Sequence, residues 1–239
     1  MLPVPFGLIA RVLEQEGYKL EMLTTNHRNI VDEGLKYVHN DTCYPALLVI
    51  GQLIDAVKSG KYDPHKVALL ITQTGGGCRA SNYIHLLRKA LVKAGLEYIP
   101  VISLNLSGLE QNPGFKLNLD IIRKAIFGLM YGDIIVQSAN QVRPYEVEEG
   151  QTERTIEAVE NHLLEEMSKG KGLSFKSMVE NFDHIVAAFK AIPVQGEPKV
   201  RVGVVGEIYI KYSPLGNNNL EQFLLSEGAE PVVPGLTDF

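Results

Sequence analysis

The two cysteines of this chain, Cys43 and Cys78, are the residues best suited to bind a metal or act as nucleophiles. Cys78 lies in the stretch QTGGGCRASNY, residues 73–83, directly after the apolar run KVALLITQ. Three glycines precede it: Gly75, Gly76 and Gly77. Glycines here would let the backbone come close to a bulky bound group. A glycine-rich loop between a strand and a helix also suits an anion. However, TGGGCRAS contains neither Gly-x-x-x-x-Gly-Lys-Ser/Thr nor Gly-x-Gly-x-x-Gly, so it does not match a nucleotide motif.

Both cysteines are predicted to lie where a strand ends and a helix begins. The strand candidate LKYVHND precedes Cys43, and Pro45 sits where the first turn of a helix tolerates proline. A helix N-terminus favours the thiolate form of a cysteine, which is the form that binds metal. The separation of Cys43 and Cys78 matches no zinc CxxC pattern, so the prediction of a shared metal site depends on the topology alone.

Other roles for the cysteines stay open. Free cysteines are often buried and behave as small hydrophobic residues. A disulfide is possible, although two cysteines fit a reducing compartment better than a secreted disulfide framework. A nucleophilic cysteine needs a base, and His39 is the histidine nearest to Cys43 along the chain.

Polar residues cluster in the predicted loops and are further site candidates. Arg79 and Ser81 follow Cys78 and, with Arg143 in ANQVRPYE, are candidate catalytic residues; Asn105 and Asn217 are candidate cofactor-binding residues with the three glycines. Serine and asparagine at helix starts are also ordinary caps. A cleft between two lobes is the expected place for a ligand.

The pattern of apolar residues predicts an α/β chain with a parallel sheet. Helices are predicted at residues 6–16, in PALLVIGQLIDAVKSG and in SNYIHLLRKALVKAG, and strands in KLEMLT, LKYVHND, KVALLITQ and YIPVISLN. Alternating helices and nearly continuous apolar strands are typical of a parallel sheet covered on both faces. We expect a flavodoxin-like or Rossmann-like lobe over residues 1–105.

The apolar pattern in the second half of the sequence predicts a helical layer followed by another α/β unit. Helical patterns at 118–131, 152–168 and 174–190 indicate a connecting region over residues 106–195. A strong strand is predicted within VQGEPKVRVGVVGEIYIKYS, followed by a helix and the strand AEPVVP, which would begin a second lobe over residues 196–239. The junction "EG" at residues 16–17 and 227–228 suggests that the two lobes are similar.

Composition limits the broad class of protein. The 239 residues are 45% hydrophobic with a net charge of −5, which predicts a globular chain without the basic surface that nucleic acids require. No apolar run approaches the roughly 20 residues needed to cross a bilayer, so no membrane contact is expected and the default compartment is the cytoplasm. The apolar patterns at both ends suggest a domain-sized fragment of a longer protein.

Three stretches, NDTCYPALLVIGQLIDAVKSGKYD, ITQTGGGCRASNYIHLLRKAL and VISLNLSG, resemble the 2-hydroxyacyl-CoA dehydratase family. This family includes the benzoyl-CoA reductase subunits and the double-cubane cluster proteins. The likeness extends through GEIYIKYSPLGNNNLEQFLLSEGAE and is greatest to the branch fused to an activase, the acyl-CoA dehydratase activase-related proteins.

The resemblance implies an iron-sulfur cluster, [4Fe-4S] or related, between two flavodoxin-like lobes, with Cys43 and Cys78 as ligands and a third cysteine from the second lobe beyond Phe239. It also implies anaerobic electron transfer from an ATP-dependent activase to a small-molecule substrate, in the family a CoA thioester that is reduced to a ketyl radical. Arg79 would stabilise negative charge on the cluster. The isolated fragment is expected to be inactive.

The sequence therefore supports two functional hypotheses. The first is a cluster-binding component of a dehydratase or reductase. The alternative is a non-catalytic two-lobed module that binds a small ligand or regulates a partner, in which both cysteines are structural.

Overall fold

A computed structural model describes residues 3–39, 41–72, 82–104, 115 and 118–238. The described chain is mixed α/β and rich in helix, with short parallel strands. The helices are α1 Pro3–Gln15, α2 Asn29–Tyr37, α3 Tyr44–Lys58, α4 Tyr83–Ala94, α5 Leu119–Val142, α6 Gln151–Ser168, α7 Phe175–Lys190, α8 Ile208–Tyr212, α9 Pro214–Asn217 and α10 Leu220–Ser226. The strands are β1 Leu69–Thr72, β2 Val101–Leu104, β3 Arg201–Gly203 and β4 Glu230–Val232, and 3-10 turns cover Arg143–Tyr145 and Leu236–Asp238.

The chain packs as two compact units, residues 23–116 and residues 1–22 with 117–239. The N-terminal helix α1 belongs to the second of these because it packs on α5. The predicted domain boundaries near residues 105 and 195 stay predictions.

Unit 23–116 contains a strand-helix-strand motif. Strand β1 pairs in parallel with β2, with Leu69 opposite Val101 and Thr72 opposite Leu104. Helix α4 connects them, and its apolar positions are buried together with those of α3 and both strands. The predicted strands KVALLITQ and YIPVISLN and the helix between them are thus confirmed.

Helices α2 and α3 form a tightly packed pair in the same unit. A Cβ atom on Gly51 of α3 would overlap the carbonyl oxygen of Ile30, and one on Gly34 of α2 would overlap Leu47. Glycine at both positions lets the two backbones touch. Both helices contribute buried residues to the core that contains β1 and β2.

The prediction of a strand at LKYVHND is wrong, since the first three of these residues belong to helix α2. Ile30, Gly34 and Tyr37 recur at helical spacing, and all three are buried. The predicted strand KLEMLT is also wrong: residues 19–24 form neither helix nor strand. The parallel sheet of this unit therefore has two strands among the described residues.

The other unit is built on a layer of four helices, α1, α5, α6 and α7. Their apolar faces form one core, which includes Leu8, Ile135, Leu163 and Ile185, each with no exposed surface. All three helical patterns predicted for residues 118–190 are confirmed, although α5 continues to Val142. Helix α7 begins with a capping box between Ser174 and Ser177.

A second parallel strand pair follows this layer. Strand β3 pairs with β4, with Arg201 opposite Glu230, and helices α8 to α10 lie between them in the chain. The strong strand predicted for this region ends at Gly203, and EIYIKYS contains helix α8 instead. The carboxylate of Glu207 accepts a hydrogen bond from the N–H of Ile210 and so starts that helix. The predicted helix and strand at residues 217–233 are confirmed as α10 and β4.

Within the described residues, no helix is both long enough and apolar enough to cross a lipid bilayer.

Candidate functional site

Cys43 lies at the first turn of α3. Its backbone is extended (φ −62°, ψ 147°), and its carbonyl oxygen accepts hydrogen bonds from the N–H groups of Ala46 and Leu47. The residue is half-buried and its thiol is free. The predicted position at a helix N-terminus is therefore confirmed, but the preceding element is helix α2 and not a strand.

The thiol of Cys43 contacts the hydroxyl of Tyr83, with Sγ and Oη 3.2 Å apart. Tyr83 is the first residue of α4 and follows Cys78 by five positions in the sequence. The contact joins the start of α3 to the start of α4 within one compact unit. The start of helix α4, at the last residue of the QTGGGCRASNY stretch, thus lies beside the thiol.

Most of the predicted site residues lie outside the described residues. They are Gly75, Gly76, Gly77, Cys78, Arg79, Ser81 and Asn105. A site shared by Cys43 and Cys78 consequently stays a prediction.

His39 pairs with a carboxylate and not with the cysteine. Its Nδ1 lies 3.3 Å from Oδ2 of Asp41, and both side chains are largely exposed. Thr42 donates its hydroxyl hydrogen to the carbonyl oxygen of His39. Among the described hydrogen bonds none joins His39 to Cys43, so the base-activated nucleophile gains no support from these contacts.

Arg143 is held in a network of polar side chains at the end of α5. Its guanidinium contacts Oε1 of Glu153 from Nε at 2.8 Å and from the terminal nitrogen at 2.7 Å, and it donates to Oδ1 of Asn140 at 2.9 Å. The buried Asn140 in turn donates to Glu221. Arg143 thus joins α5 to α6, and Asn140 joins α5 to α10.

Asn217 also has a structural role. Its side-chain oxygen accepts a hydrogen bond from the N–H of Leu220, and its amide donates to the carbonyl oxygen of Lys211. It therefore supports the first turn of α10 and ties it to the end of α8.

Glu146, which follows Arg143 in ANQVRPYE, caps helix α6. Its carboxylate accepts hydrogen bonds from the N–H groups of Gly150 at 2.8 Å and Thr152 at 2.7 Å. Burial alone would raise the pKa of Glu146, but the contacts with Thr152 and Gly150 and the charge of Arg143 outweigh it and lower the pKa. The negative carboxylate at this helix start is stabilised by the helix dipole.

A group of buried polar side chains that the sequence reading did not identify surrounds Asp133. Asp133 and Lys211 are each 3% exposed, and Tyr212 is 1% exposed. Burial lowers the pKa of Lys211, although the carboxylates of Asp238 and Asp133 partly oppose this. Burial and the same two carboxylates raise the pKa of Tyr212 to about 12. The sequence feature that could have indicated this group is Asp133 itself, a carboxylate within the apolar pattern of α5.

Open cavities lie beside two of the helix pairs in the described part of the chain. One, of about 380 Å³, lies between α6 and α7 and is lined by Gln151, Arg154, Thr155, Ala158, Val159, His184 and Ala188. The other, of about 220 Å³, lies beside α2 and α3 and is lined by Asn29, Asp32, Glu33, Asp55, Lys58 and Ser59. Neither is lined by Cys43.

Comparisons of this chain with protein-family models, curated proteins and solved structures found no match.

Proposed function

We propose that this chain is an iron-sulfur cluster-binding component of a reductase resembling the 2-hydroxyacyl-CoA dehydratases, with Cys43 and Cys78 as thiolate ligands. The observation that carries the proposal is the 3.2 Å contact between Sγ of Cys43 and the hydroxyl of Tyr83. It supports the proposal because Tyr83 begins the helix that follows Cys78 by only a few residues.

The environment of Cys43 suits a thiolate ligand. The side chain is half-exposed, so a bound group could reach it, and it stands at the positive end of a 15-residue helix. It makes no capping hydrogen bond of its own to the first turn of α3. The sulfur is thus available for coordination without loss of a helix cap.

Tyr83 would act as a positioning residue for this ligand. As a donor, its hydroxyl can give one hydrogen bond to the sulfur of Cys43. Hydrogen bonds to ligating groups fix their orientation and tune the bound metal. We expect Tyr83 to restrict the thiolate to one position.

Cysteine thiolates are the usual ligands of such a cluster, but the chain supplies fewer of them than a cluster needs. Cluster iron is usually bound by four cysteine thiolates, and the sequence contains two cysteines. The described residues contain no group of three or more histidine, cysteine or acidic side chains placed to bind a metal. The remaining ligands would come from outside these 239 residues. When bound, the cluster would supply electron transfer at low potential.

The proposal extends to fold and partners. We infer that unit 23–116, with its β1-α4-β2 motif, is part of a flavodoxin-like lobe, and that the β3 to β4 region begins a second one. The electron donor would be an ATP-dependent activase, and the substrate a small molecule such as a CoA thioester.

Anaerobic reconstitution of the chain with ferrous iron, sulfide and a small-molecule thiol, which can fill the ligand positions that the two cysteines leave open, tests the proposal. We expect retained iron and sulfide and a broad visible absorbance, both lost in Cys43→Ala and in Cys78→Ala. Tyr44→Phe is a matched control, because Tyr44 adjoins Cys43, is 50% exposed and has no thiol. Equal iron content in wild type and Cys43→Ala would contradict the assignment of Cys43.

The second candidate is a non-catalytic module that binds a small polar ligand. The cavity lined by Asp32, Asp55 and Lys58 favours it, since this cavity lies in the same unit as Cys43 and offers both charges. Here the contact of Cys43 with Tyr83 would only stabilise the fold. A folded chain that retains no iron, and whose melting temperature is insensitive to Cys78→Ala, would favour this candidate.

A further inference from the structure

A pair of histidines lies between helices α6 and α7, in the unit that does not contain the cysteines. His162 projects from α6 and His184 from α7, and their ring centroids are 4.6 Å apart with the planes inclined at 40°. His184 is exposed and His162 is half-buried, so solvent reaches the pair. His184 also lines the cavity of about 380 Å³ between the two helices.

The spacing suits two imidazoles that share one metal ion. At zinc-nitrogen distances of about 2.0 to 2.1 Å, two ligating rings have centroids about 5 Å apart, close to the separation of this pair. Two rings at this separation can each direct one nitrogen toward a common ion.

The helices hold the two rings on rigid supports. Each histidine precedes a core residue with no exposed surface, Leu163 on α6 and Ile185 on α7. Asn181 further joins α7 to α6 by donating to Oε2 of Glu166 at 3.0 Å. A site on packed helices is positioned more accurately than one on a loop.

The charges nearby are balanced, so no unpaired lysine or arginine among them opposes a cation. Glu165 lies one helical turn from His162, and Glu180 lies one turn from His184. Each carboxylate faces a lysine, Glu165 at 2.5 Å from Lys169 and Glu180 at 4.0 Å from Lys176. Arg154 lines the same cavity, but its charge is matched by Glu148 at 2.5 Å.

We propose that His162 and His184 form a binding site for a divalent transition-metal ion that prefers imidazole ligands, such as Zn²⁺, Cu²⁺ or Ni²⁺. The two imidazoles are its protein ligands, and water on the cavity side fills the other coordination positions. The site is separate from the proposed cluster and requires neither cysteine.

Zinc titration by calorimetry tests this site in the full chain carrying Cys43→Ser and Cys78→Ser, which removes the thiols. We expect one ion per chain, and binding weakened about tenfold or more by His184→Gln, because one of two ligands is lost. His65→Gln is the matched control, since His65 is exposed, stacks on Tyr98 and belongs to the other compact unit. It should leave the affinity unchanged.

A second measurement distinguishes loss of zinc binding from a folding defect in the variant. Zinc should raise the melting temperature of the parent chain but not of His184→Gln, because an ion that binds only the folded state stabilises it. His184 is exposed, so its glutamine variant should fold; His162→Gln gives the same comparison from α6. Equal zinc affinity in the parent chain and the folded His184→Gln variant, or no zinc uptake by the parent chain, would overturn the proposal.

Discussion

The carboxylate of Asp133 accepts two hydrogen bonds from Thr237 at the same oxygen, from the backbone N–H at 2.7 Å and from the hydroxyl at 2.8 Å. Asp133 is buried in the middle of α5, whereas Thr237 belongs to the last 3-10 turn. The pair therefore attaches the end of the described chain to the longest helix. The second carboxylate oxygen of Asp133 is buried and has no hydrogen-bond partner among the described residues.

Thr237→Ala should destabilise the fold by about 1.5 to 3 kcal/mol, because a hydrogen bond to a buried charged group is lost. Urea unfolding followed by circular dichroism measures the change. Thr237→Ser, which keeps the hydroxyl, should retain most of the stability. An equal loss in both variants would show that the methyl group matters more than the hydrogen bond.

Tyr131→Phe should lower the free energy of unfolding by about 1 to 2 kcal/mol. The hydroxyl of Tyr131 donates to the carbonyl oxygen of Gly172 at 2.5 Å and accepts from Asn181 at 3.1 Å, entirely within the helical layer. Tyr98→Phe, at an exposed position, is the control for loss of a tyrosine hydroxyl. A Tyr131→Phe variant as stable as the control would mean that water replaces both hydrogen bonds.

Tyr212 should make stability fall at alkaline pH. Burial and the carboxylates of Asp133 and Asp238 raise its pKa from 10.0 to about 12. The folded chain thus keeps this proton after the unfolded chain has lost it, so the contribution is complete below pH 10 and is lost as the pH rises to about 12. Denaturant midpoints measured across this range should decline less steeply in Tyr212→Phe than in wild type. Parallel declines would contradict the assignment.

Glu146 should have the opposite effect at acid pH. Its lowered pKa in the folded state means that its contribution is present above the ordinary value of 4.5 and is lost as the pH falls through the folded value. Glu146→Gln should remove this dependence and cost about 1 kcal/mol at neutral pH by weakening the cap of α6. Glu149→Gln is a suitable control because Glu149 is exposed in the same turn. Identical acid denaturation of Glu146→Gln and wild type would argue against a role for this cap.

Tyr83→Phe should weaken retention of a reconstituted cluster without preventing its formation. The variant keeps both cysteines and loses the hydroxyl that lies 3.2 Å from Sγ of Cys43. The rate at which a chelator removes iron measures the effect, and Tyr44→Phe serves again as the control. Equal rates in the two variants would limit Tyr83 to packing.

The sequence predicted the elements with clear apolar periodicity and failed where two periodicities overlap. Helix α3 was predicted correctly because its apolar residues recur at helical spacing. Residues 35–41 were misread because Tyr37 and Val38 favour a strand when read alone, while the helical face is completed by Ile30 and Gly34 earlier in the chain. Residues 208–212 form helix α8 because Glu207 caps the first turn and because Tyr209 and Tyr212, three positions apart on one helix face, are both buried.

The candidate site was predicted only as far as local sequence allows. The place of Cys43 at a helix start follows from Pro45 and the apolar run after it. Its contact with Tyr83 joins residues 40 positions apart and could not be read from spacing. Arg143 and Asn217 were chosen by residue type alone. Their hydrogen-bond partners lie on other elements and could not be read from the sequence, and their roles as site residues stay predictions.

The contact between Gly34 and Gly51 determines how Cys43 can move. Helix α2 ends at Tyr37 and α3 begins at Tyr44, so Cys43 is at the closed end of a helical hairpin. Because the two backbones touch, the arms cannot slide or twist past each other without a steric clash. The backbone of Cys43 is therefore attached to two helix ends whose positions relative to each other are fixed.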